Sequence, residues 1–431
     1  MIPVRRLADL DPAARKAAFS RPGALTDDVV KAMELLITDV REHGDSALRA
    51  YAKKFDKVNL DAIEVPPAEI DAAERSIKQQ EQVALRSALD NLLRFQRQGV
   101  SRAFEYAPAK GILVGRRFAP YARAGLHVAG GATPLASSVL MAAAPAVVAG
   151  VKEIVLCVGP GPDGFVAASI LFAAKIAGVH RVFRVAGPTS IAAMAFGTAT
   201  VPKVEVIAGP GDRFVNAAKR AVSGEVAVDF ASGPTELLVI SDGTGDPRRI
   251  ASDMVAQSEH DPAASARMVT TSAAQAEAVA RELSEQSSRL PRAETIQKAL
   301  SKHGGLYVVD DLSAAIAFAN DFGPGFLLIA CERPLPVLDQ IRHAGSVFLG
   351  DMSPVAVGDY GVGPNAVVPT LGDARRTSGL TAATFMKSIP FTFVSKEGLE
   401  SVAPMSSAIA RLESLEGHLA SIVIRQERHG H

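Results

Sequence analysis

The sequence predicts an α/β protein built on two doubly wound, Rossmann-like parallel sheets, with helical extensions at both ends of the chain. Short apolar runs alternate with Ala-rich helical segments from about residue 110 to residue 350, a pattern typical of βαβ units and parallel sheets. The runs are too many for one sheet of usual size, so we expect two. The first 100 residues and the last 50 instead carry helical periodicity without this alternation.

The elements follow from periodicity and punctuation. Apolar residues recur at helical spacing over 26–44, and Pro66 and Pro67 open one long amphipathic pattern from Ile70 to Phe95. The predicted strands are Ile154–Val158, Val182–Val185, Val204–Ile207, Leu237–Ile240, Arg267–Thr271, Leu306–Val309, Phe326–Ala330 and Ser346–Leu349. Helices are predicted around them at 136–149, 165–177, 189–196, 213–222, 247–258, 273–288, 311–320 and 334–342. Near the C-terminus, Met405 to Ile422 form one further helical stripe.

This layout divides the chain into four parts. We expect an N-terminal helical extension over 1–21 and a main α/β domain made of 22–126 and 236–380. A second α/β domain then covers 127–235, and a C-terminal extension covers 381–431.

Composition excludes several classes of protein. Among 431 residues, 46 Lys and Arg balance 46 Asp and Glu, which argues against a nucleic-acid or membrane-surface protein. Two cysteines, Cys157 and Cys331, exclude a disulfide scaffold and fit a reducing compartment. No signal-peptide pattern and no apolar run of membrane-spanning length is present. We therefore expect a cytoplasmic protein with a small-molecule ligand, no nucleic-acid partner and no membrane partner.

Three glycine-rich segments follow predicted strands or precede predicted helices: 128–134, 159–164 and 208–212. Such loops expose backbone N–H groups that suit phosphates. None is a G-x-G-x-x-G motif followed by a helix, so each is either a phosphate loop or a tight strand-to-helix turn.

Chemistry is concentrated in a few other segments. In Gln257-Ser-Glu-His260-Asp-Pro262, the Gln and the His are three residues apart, so both project from one face at the end of a helix. Two further candidates, Gly350–Pro354 and Gly358–Gly361, follow the last predicted strand, where open α/β sheets bind ligands. The C-terminal helical stripe adds a carboxylate, Glu413, and an imidazole, His418.

Together these segments resemble the histidinol dehydrogenase family over most of the chain. The segments that carry the resemblance are Ser138–Met141, Ala195–Val204, Gly209–Gly211, Gly233–Glu236, Ala256–Pro262, Ala344–Asp351, Gly358–Tyr360, Ser395–Gly398 and Glu413–His418.

The resemblance implies one zinc ion per subunit. The family's ligands, a Gln, a His, an Asp and a second His, match Gln257, His260, Asp359 and His418. It also implies a homodimer with shared metal sites, since the last His comes from the partner's C-terminal region. The substrate-binding positions carried over are the four metal ligands with Thr235 and Glu413.

The sequence departs from the family at the acid–base pair. The family's Glu-His pair is replaced by Gly325 and Phe326, neither of which can carry a proton. A positioned base contributes about 10²–10⁴ in rate. Its place would have to be taken by Glu259, His127 or a zinc-bound hydroxide. The family's imidazole-contacting His is Ala366 here.

The positions that match the family's cofactor contacts are altered as well. A Tyr is replaced by His127, a Gln by Thr189 and an Asn by Asp212, which would set a negative charge near a pyrophosphate-bearing ligand. Whether NAD or NADP binds is left open by these changes.

From these departures we expect a zinc enzyme that oxidises, with NAD or NADP, a small polar alcohol other than histidinol. Two alternatives remain at this point. One is a zinc-dependent hydrolase, lyase or isomerase, and the other is a non-catalytic paralogue that binds a metal.

Overall fold

A computed structural model describes residues 2–23, 25–130, 133–230 and 232–427. The chain divides into two compact units, Met1–Gly99 with Tyr121–Phe385, and Val100–Pro120 with Met386–His431. The four-part division predicted from the sequence stays a prediction. Of the first glycine-rich segment, Gly131 and Ala132 lie outside the described residues.

The strands, in chain order, are β1 (Val4–Arg6), β2 (Phe104–Ala109), β3 (Ile112–Pro120), β4 (Arg123–Val128), β5 (Glu153–Val158), β6 (Arg181–Phe183), β7 (Val206–Ala208), β8 (Ala227–Val228), β9 (Glu236–Ser241), β10 (Ser265–Thr270), β11 (Gly305–Val308), β12 (Phe326–Ala330), β13 (Ser346–Leu349) and β14 (Met386–Val394).

The α-helices are α1 (Pro12–Ala18), α2 (Asp27–His43), α3 (Asp45–Tyr51), α4 (Pro67–Ala73), α5 (Gln79–Gln98), α6 (Ala136–Ala149), α7 (Ala168–Ile176), α8 (Gly187–Phe196), α9 (Arg213–Val222), α10 (Pro247–Ser258), α11 (Ala273–Ser288), α12 (Ala293–His303), α13 (Leu312–Phe322), α14 (Pro334–Leu338), α15 (Val355–Asp359), α16 (Lys396–Leu412) and α17 (Glu416–Val423).

The predicted fold class is confirmed by two parallel sheets in the larger unit. One sheet has the order β1-β11-β10-β9-β12-β13 and the other the order β6-β5-β4-β7-β8, and every pairing in both is parallel. The edge strand β1 of the first sheet is left aside here, and the other strands are numbered in chain order from β9 in the first sheet and from β4 in the second. Both sheets then have the order 3-2-1-4-5, which is the doubly wound order. The order reverses between β9 and β12 in the first sheet and between β4 and β7 in the second.

Both sheets are buried between helices, as parallel sheets require. In the first sheet, Leu237 and Met268 pack with α10, α11 and α12, while Leu238 and Val269 pack on the opposite face with α13. In the second sheet, apolar residues of β5 and β7 pack with α2, α8 and α9.

The smaller unit holds an antiparallel sheet that the sequence analysis did not predict. Its order is β14-β3-β2, and it is followed by α16 and α17. All six residues of β2 and seven of the nine in β14 are exposed. Because no face is consistently buried, these strands lack the apolar alternation by which strands are recognised.

Other elements of the larger and smaller units also differ from the prediction. The pattern Ile70–Phe95 is broken into α4 and α5, and the C-terminal stripe is broken into α16 and α17 at Ser414, which has a φ of 57°. The three-residue edge strand β1 and the buried strand β4 were missed, since neither run is flanked by the alternation used for the others. None of the described helices has the length and apolar character needed to cross a membrane.

Candidate active site

One cavity in the larger unit is lined by six of the residues singled out by the sequence: Asp212, Thr235, His260, Phe326, Asp359 and Ala366. Its volume is about 340 Å³. It lies where β9 and β12 begin, beside Thr235 and Phe326, and where β4 and β7 end, beside Ala129 and Pro210. The order of the second sheet reverses between β4 and β7, and such switch points are where doubly wound sheets bind ligands.

Three of the four predicted metal ligands lie together: His260 and Asp359 line this cavity, and Gln257 contacts Asp359 from behind it. Gln257 is buried in the last turn of α10, His260 lies two residues beyond that helix, and Asp359 is the last residue of α15. The Gln257 Nε2 donates a hydrogen bond to Asp359 Oδ2 at 3.2 Å, and His260 Nε2 lies 3.7 Å from the same oxygen. The Thr235 hydroxyl donates to Gln257 Oε1 at 3.0 Å.

The donor set fits a zinc ion. Imidazole nitrogen and carboxylate oxygen are ordinary zinc ligands, and two ligands of a tetrahedral zinc about 2.0–2.1 Å from the metal are separated by about 3.3 Å. The 3.7 Å between His260 Nε2 and Asp359 Oδ2 is near that value, and the Gln257 amide nitrogen, 3.2 Å from the same oxygen, stands where the amide oxygen would be after a half-turn. The described residues contain no cluster of three or more His, Cys, Asp or Glu side chains suited to a metal. A third ligand beside His260 and Asp359 would therefore have to be the amide oxygen of Gln257.

A hydrogen bond outside the cluster ties its two helices together. Asp253 is buried on α10, and one of its carboxylate oxygens accepts from the backbone N–H of Val355 at 2.8 Å, where α15 begins. Burial raises the pKa of Asp253 to about 6. The bond fixes α15 against α10, and with it Asp359 against Gln257.

The loop after β7 is held by a buried ion pair. Lys219 Nζ lies 2.6 Å from Asp229 Oδ1, and the two side chains are 3% and 0% exposed. Lys219 also donates to the Gly209 carbonyl, while Asp229 Oδ2 accepts from the Gly209 N–H at 2.8 Å. Burial raises the pKa of Asp229, and Lys219 acts in the opposite direction. Both backbone groups of Gly209 are therefore fixed.

Gly209 itself is required by this geometry. Its φ is +132°, and a Cβ there would lie 2.0 Å from the carbonyl oxygen of His127. The ion pair and the glycine together set the path of the loop that leads into α9.

Asp212 lines the cavity and also caps α9. Its Oδ1 accepts from the N–H groups of Phe214 and Val215, both at 2.9 Å. The negative charge of Asp212, predicted to lie near the cofactor, is therefore partly neutralised by the N–H groups at the start of α9.

Three other predicted residues lie away from the lining of the cavity. His127 is buried in β4 with Nδ1 2.9 Å from the Ser190 hydroxyl, and burial, together with Lys219, lowers its pKa to about 3. Thr189 is buried at the start of α8, where its hydroxyl donates to the Ala186 carbonyl at 2.6 Å. Glu259 follows α10 and is not among the lining residues.

The positions that replace the family's acid–base pair and imidazole contact form an apolar wall. Phe326 and Ala366 both line the cavity. A Cβ at Gly325 would lie 3.0 Å from Thr370 Cγ2, so this position has little free space.

The remaining predicted residues belong to the smaller unit. Glu413 follows α16 and His418 lies in α17, and both are exposed. Within the larger unit, no residue of Gly350–Pro354 lines the cavity, and Asp351 of this segment pairs with Arg249 at 3.2 Å.

Sequence reasoning gave no role to Asp261 and Tyr360, which line the cavity beside two of the ligands. It also missed Lys219 and Asp229. For Lys219 a signal was available, since a lysine four residues after Val215 lies on the apolar face of α9.

Comparisons with known proteins agree with this geometry. The family model "Histidinol dehydrogenase" matches residues 19–426. A histidinol dehydrogenase of Synechococcus sp. is 41% identical, with 91% of each chain covered. Another, of Methanosarcina barkeri, is 40% identical, with 99% of this chain and 98% of that protein covered. The crystal structure of histidinol dehydrogenase from Elizabethkingia anophelis superposes with a TM-score of 0.92 at 33% identity, covering 98% of this chain and 97% of that one.

Two doubly wound sheets that share a cavity at a switch point define a class of ligand-binding α/β proteins. Within that class, the chain belongs to the histidinol dehydrogenase family, which makes it an enzyme of the oxidoreductase class.

The prediction of a different alcohol is wrong. Relatives about 40% identical over nearly their whole length carry the name histidinol dehydrogenase. The prediction gave too much weight to Gly325, Phe326 and Ala366, of which two form only one wall of the cavity. The non-redox enzyme and the non-catalytic paralogue, offered as alternatives, fall with it.

Proposed function

We propose that this chain is a zinc- and NAD-dependent histidinol dehydrogenase, which oxidises the CH–OH group of histidinol to a carbonyl and passes a hydride to NAD. The observation that carries the proposal is that Gln257 and His260 both lie against Asp359, while His260 and Asp359 line the cavity bounded by the loops after β4 and β7. The substrate is taken from the names of the relatives.

Gln257, His260 and Asp359 would hold the zinc, together with His418 from a second copy of the chain. Bound zinc supplies a Lewis acid that lowers the pKa of an alcohol. Gln257 needs only a half-turn of its amide to serve. Its oxygen then faces the cluster, and its Nε2 donates to the Thr235 hydroxyl, which reverses its own role from donor to acceptor. Thr235 thus orients this ligand in either state.

The NAD pyrophosphate is expected at the loops after β4 and β7, where Ala129, Pro210 and Gly211 line the cavity. The hydrogen bonds of Lys219 and Asp229 with Gly209 hold the loop after β7 in place without a bound cofactor. Of the three altered cofactor positions, Asp212 lines the cavity, whereas His127 and Thr189 would act by supporting β4 and α8.

A proton acceptor is needed where the family has its Glu-His pair. His127 is poorly suited, since its pKa of about 3 makes it a weak base at neutral pH. Glu259 remains a candidate from the sequence. Asp261 lines the cavity next to His260 and is exposed, so we assign it as the first position to test. Asp261→Asn is expected to lower kcat, whereas Asp321→Asn, an exposed control, leaves kcat unchanged.

The smaller unit supports a homodimer. It exposes large apolar side chains on its sheet and on α16, which is unusual for a surface that faces only water. They include Phe104 (52% exposed), Tyr106 (58%), Phe393 (61%), Met405 (60%) and Leu412 (85%). A second copy of the chain would cover them.

The activity is tested by loading the full chain with zinc and following NADH formation from histidinol. Wild type is expected to turn over, and His260→Ala is expected to lose bound zinc, measured by elemental analysis, together with activity. His43→Ala, an exposed histidine at the end of α2, serves as the control. A zinc-loaded, NAD-binding protein that forms no NADH from histidinol would contradict the proposal.

Shared metal sites are tested by mixing two inactive variants, His260→Ala and His418→Ala. If each site takes its ligands from both chains, half of the randomly formed dimers are mixed and each mixed dimer has one intact site. About a quarter of wild-type activity should then return, as the symmetry of a two-fold interface requires. No recovery after the subunits have been shown to exchange would place each site within one chain.

A further inference from the structure

A second cavity, which shares no lining residue with the candidate active site, lies where β10 and β11 begin. Its volume is about 500 Å³. Three cations line it, Arg5, Arg267 and Lys302, together with polar side chains such as Gln297 and Tyr307. The described lining residues include several serines but neither Asp nor Glu.

Arg267 is the buried member of this set. It lies inside β10, flanked by the apolar Ala266 and Met268, and exposes only 3% of its surface. Its Nη2 donates to the Ser20 carbonyl at 2.7 Å. The Tyr307 hydroxyl is close enough to act on the pKa of Arg267, yet Nε and Nη1 have no partner of hydrogen-bonding geometry among the described residues.

Glu236, the carboxylate that acts on the pKa of Arg267, is shared with a second guanidinium, and its Oε2 has no hydrogen-bond partner among the described residues. Glu236 Oε1 accepts from Arg21 Nε at 2.9 Å and from the backbone N–H of Leu371 at 2.8 Å. Arg21 also stacks on the Phe322 ring, 3.9 Å from its centroid, while Arg267 lies 5.0 Å from the same centroid. Two guanidinium groups thus face one carboxylate, and one positive charge is left over.

A buried charge without a full set of partners is costly, so an anion in the adjoining cavity would stabilise this arrangement. Arginine binds phosphate oxygens through paired N–H donors, and serine hydroxyls add further donors. Arg5 and Lys302 are exposed at the rim, where they would attract an anion from solution.

We propose that this cavity is a binding site for a phosphate-type oxyanion, with Arg267 as its buried anchor and Arg5 and Lys302 at its entrance. The volume exceeds that of inorganic phosphate, so the ligand in the cell is either free phosphate or a small phosphate monoester. The proposal concerns surface and core residues outside the active-site cavity and does not depend on the redox activity.

The test is calorimetric titration of the full-length zinc-loaded protein with inorganic phosphate, at constant ionic strength set with chloride. We expect saturable binding of about one phosphate per chain and a melting temperature that rises with phosphate concentration. A parallel titration with glycerol 3-phosphate separates the two sources. Tighter binding of the ester assigns the site to a phosphate monoester, and equal or weaker binding assigns it to free phosphate.

Two variants locate the site. Arg267→Met is expected to abolish the binding, and the double rim variant Arg5→Ser with Lys302→Ser, which leaves the core intact, is expected to weaken it about tenfold. Lys298→Ser, an exposed lysine of α12 paired with Glu294, is the control. If Arg267→Met does not fold, phosphate binding by the rim variant decides whether the proposal stands.

Three results would overturn the proposal. The first is a phosphate effect no larger than that of chloride in wild type. The second is unchanged phosphate binding in Arg267→Met, which would place the anion elsewhere, and the third is unchanged binding in the rim variant when the core variant cannot be purified. In each case Arg267 would serve only as a second counter-ion for Glu236.

Discussion

The ion pair between Lys219 and Asp229 offers a direct test of how the loop after β7 is held. Lys219→Met removes the ammonium group and leaves a side chain of similar length, so little space is opened. Asp229 remains fully buried and keeps the N–H of Gly209 as a partner. The variant therefore isolates the effect of leaving one carboxylate without its counter-ion.

The expected magnitude is large. Removing one partner of a buried ion pair costs about 3–5 kcal/mol, because the remaining charge is uncompensated. Lys219 opposes the rise that burial imposes on the pKa of Asp229, so in the variant this pKa rises further. A carboxyl whose native pKa exceeds its unfolded pKa stabilises the native state only when protonated. The stability deficit of the variant should therefore be largest at high pH and shrink as the pH falls through the native pKa.

The assay is urea unfolding of wild type, Lys219→Met, Asp229→Asn and the double variant, each at several pH values. The amide that Asp229→Asn introduces can still accept from the Gly209 N–H, and the double variant carries no charge at either position, so we expect about 1–3 kcal/mol of favourable coupling. A Lys219→Met deficit below about 1 kcal/mol that does not change with pH would refute the reasoning. So would a double variant whose loss equals the sum of the single losses.

Three further predictions concern residues that line or support the candidate active site. Asp253→Asn keeps the acceptor for the Val355 N–H and removes a carboxyl whose pKa burial raises to about 6. The free energy of unfolding of this variant should exceed that of wild type by about 2–3 kcal/mol at pH 8, where the wild-type carboxyl is ionised. The two free energies should match below about pH 4. Equal urea midpoints at pH 8 would contradict this. Asp212→Ala should cost about 1 kcal/mol by removing the cap of α9, whereas Asp212→Asn keeps the cap and lowers the KM for NAD; a KM that rises in the Asn variant would argue against repulsion. Gly209→Ala should destabilise by more than about 2 kcal/mol, because its Cβ would lie 2.0 Å from a backbone oxygen, and a fully stable variant would show that the loop can move.

The helices were predicted well where chemistry marks their ends. Asp246 before Pro247 caps α10, and Ser272 caps α11, so both helices begin where the sequence indicates. The break between α4 and α5 could not be predicted, because apolar spacing continues across it. The exposed antiparallel sheet of the smaller unit was missed for the opposite reason, since its strands lack a consistently buried face.

The candidate site was predictable only in part. Gln257 and His260, three residues apart, could be placed close together from their spacing alone, although His260 lies two residues beyond the end of α10 and not on its face. That Asp359 would join them, about a hundred positions later, rested on the family resemblance. In the second sheet the cavity lies at the carboxyl ends of β4 and β7, where a ligand was expected. In the first sheet it lies at the amino ends of β9 and β12, because that sheet faces the cavity with its opposite edge.

That opposite orientation gives the cavity two electrically distinct walls. α9 begins at the cavity after its cap at Asp212, whereas α10 ends there just before His260. A helix carries roughly half a positive charge at its start and half a negative charge at its end. The α9 wall therefore favours the anionic part of a ligand, and the α10 wall favours a cation. A dinucleotide and a metal ion would be sorted to their own sides by the backbone before any side chain contacts them.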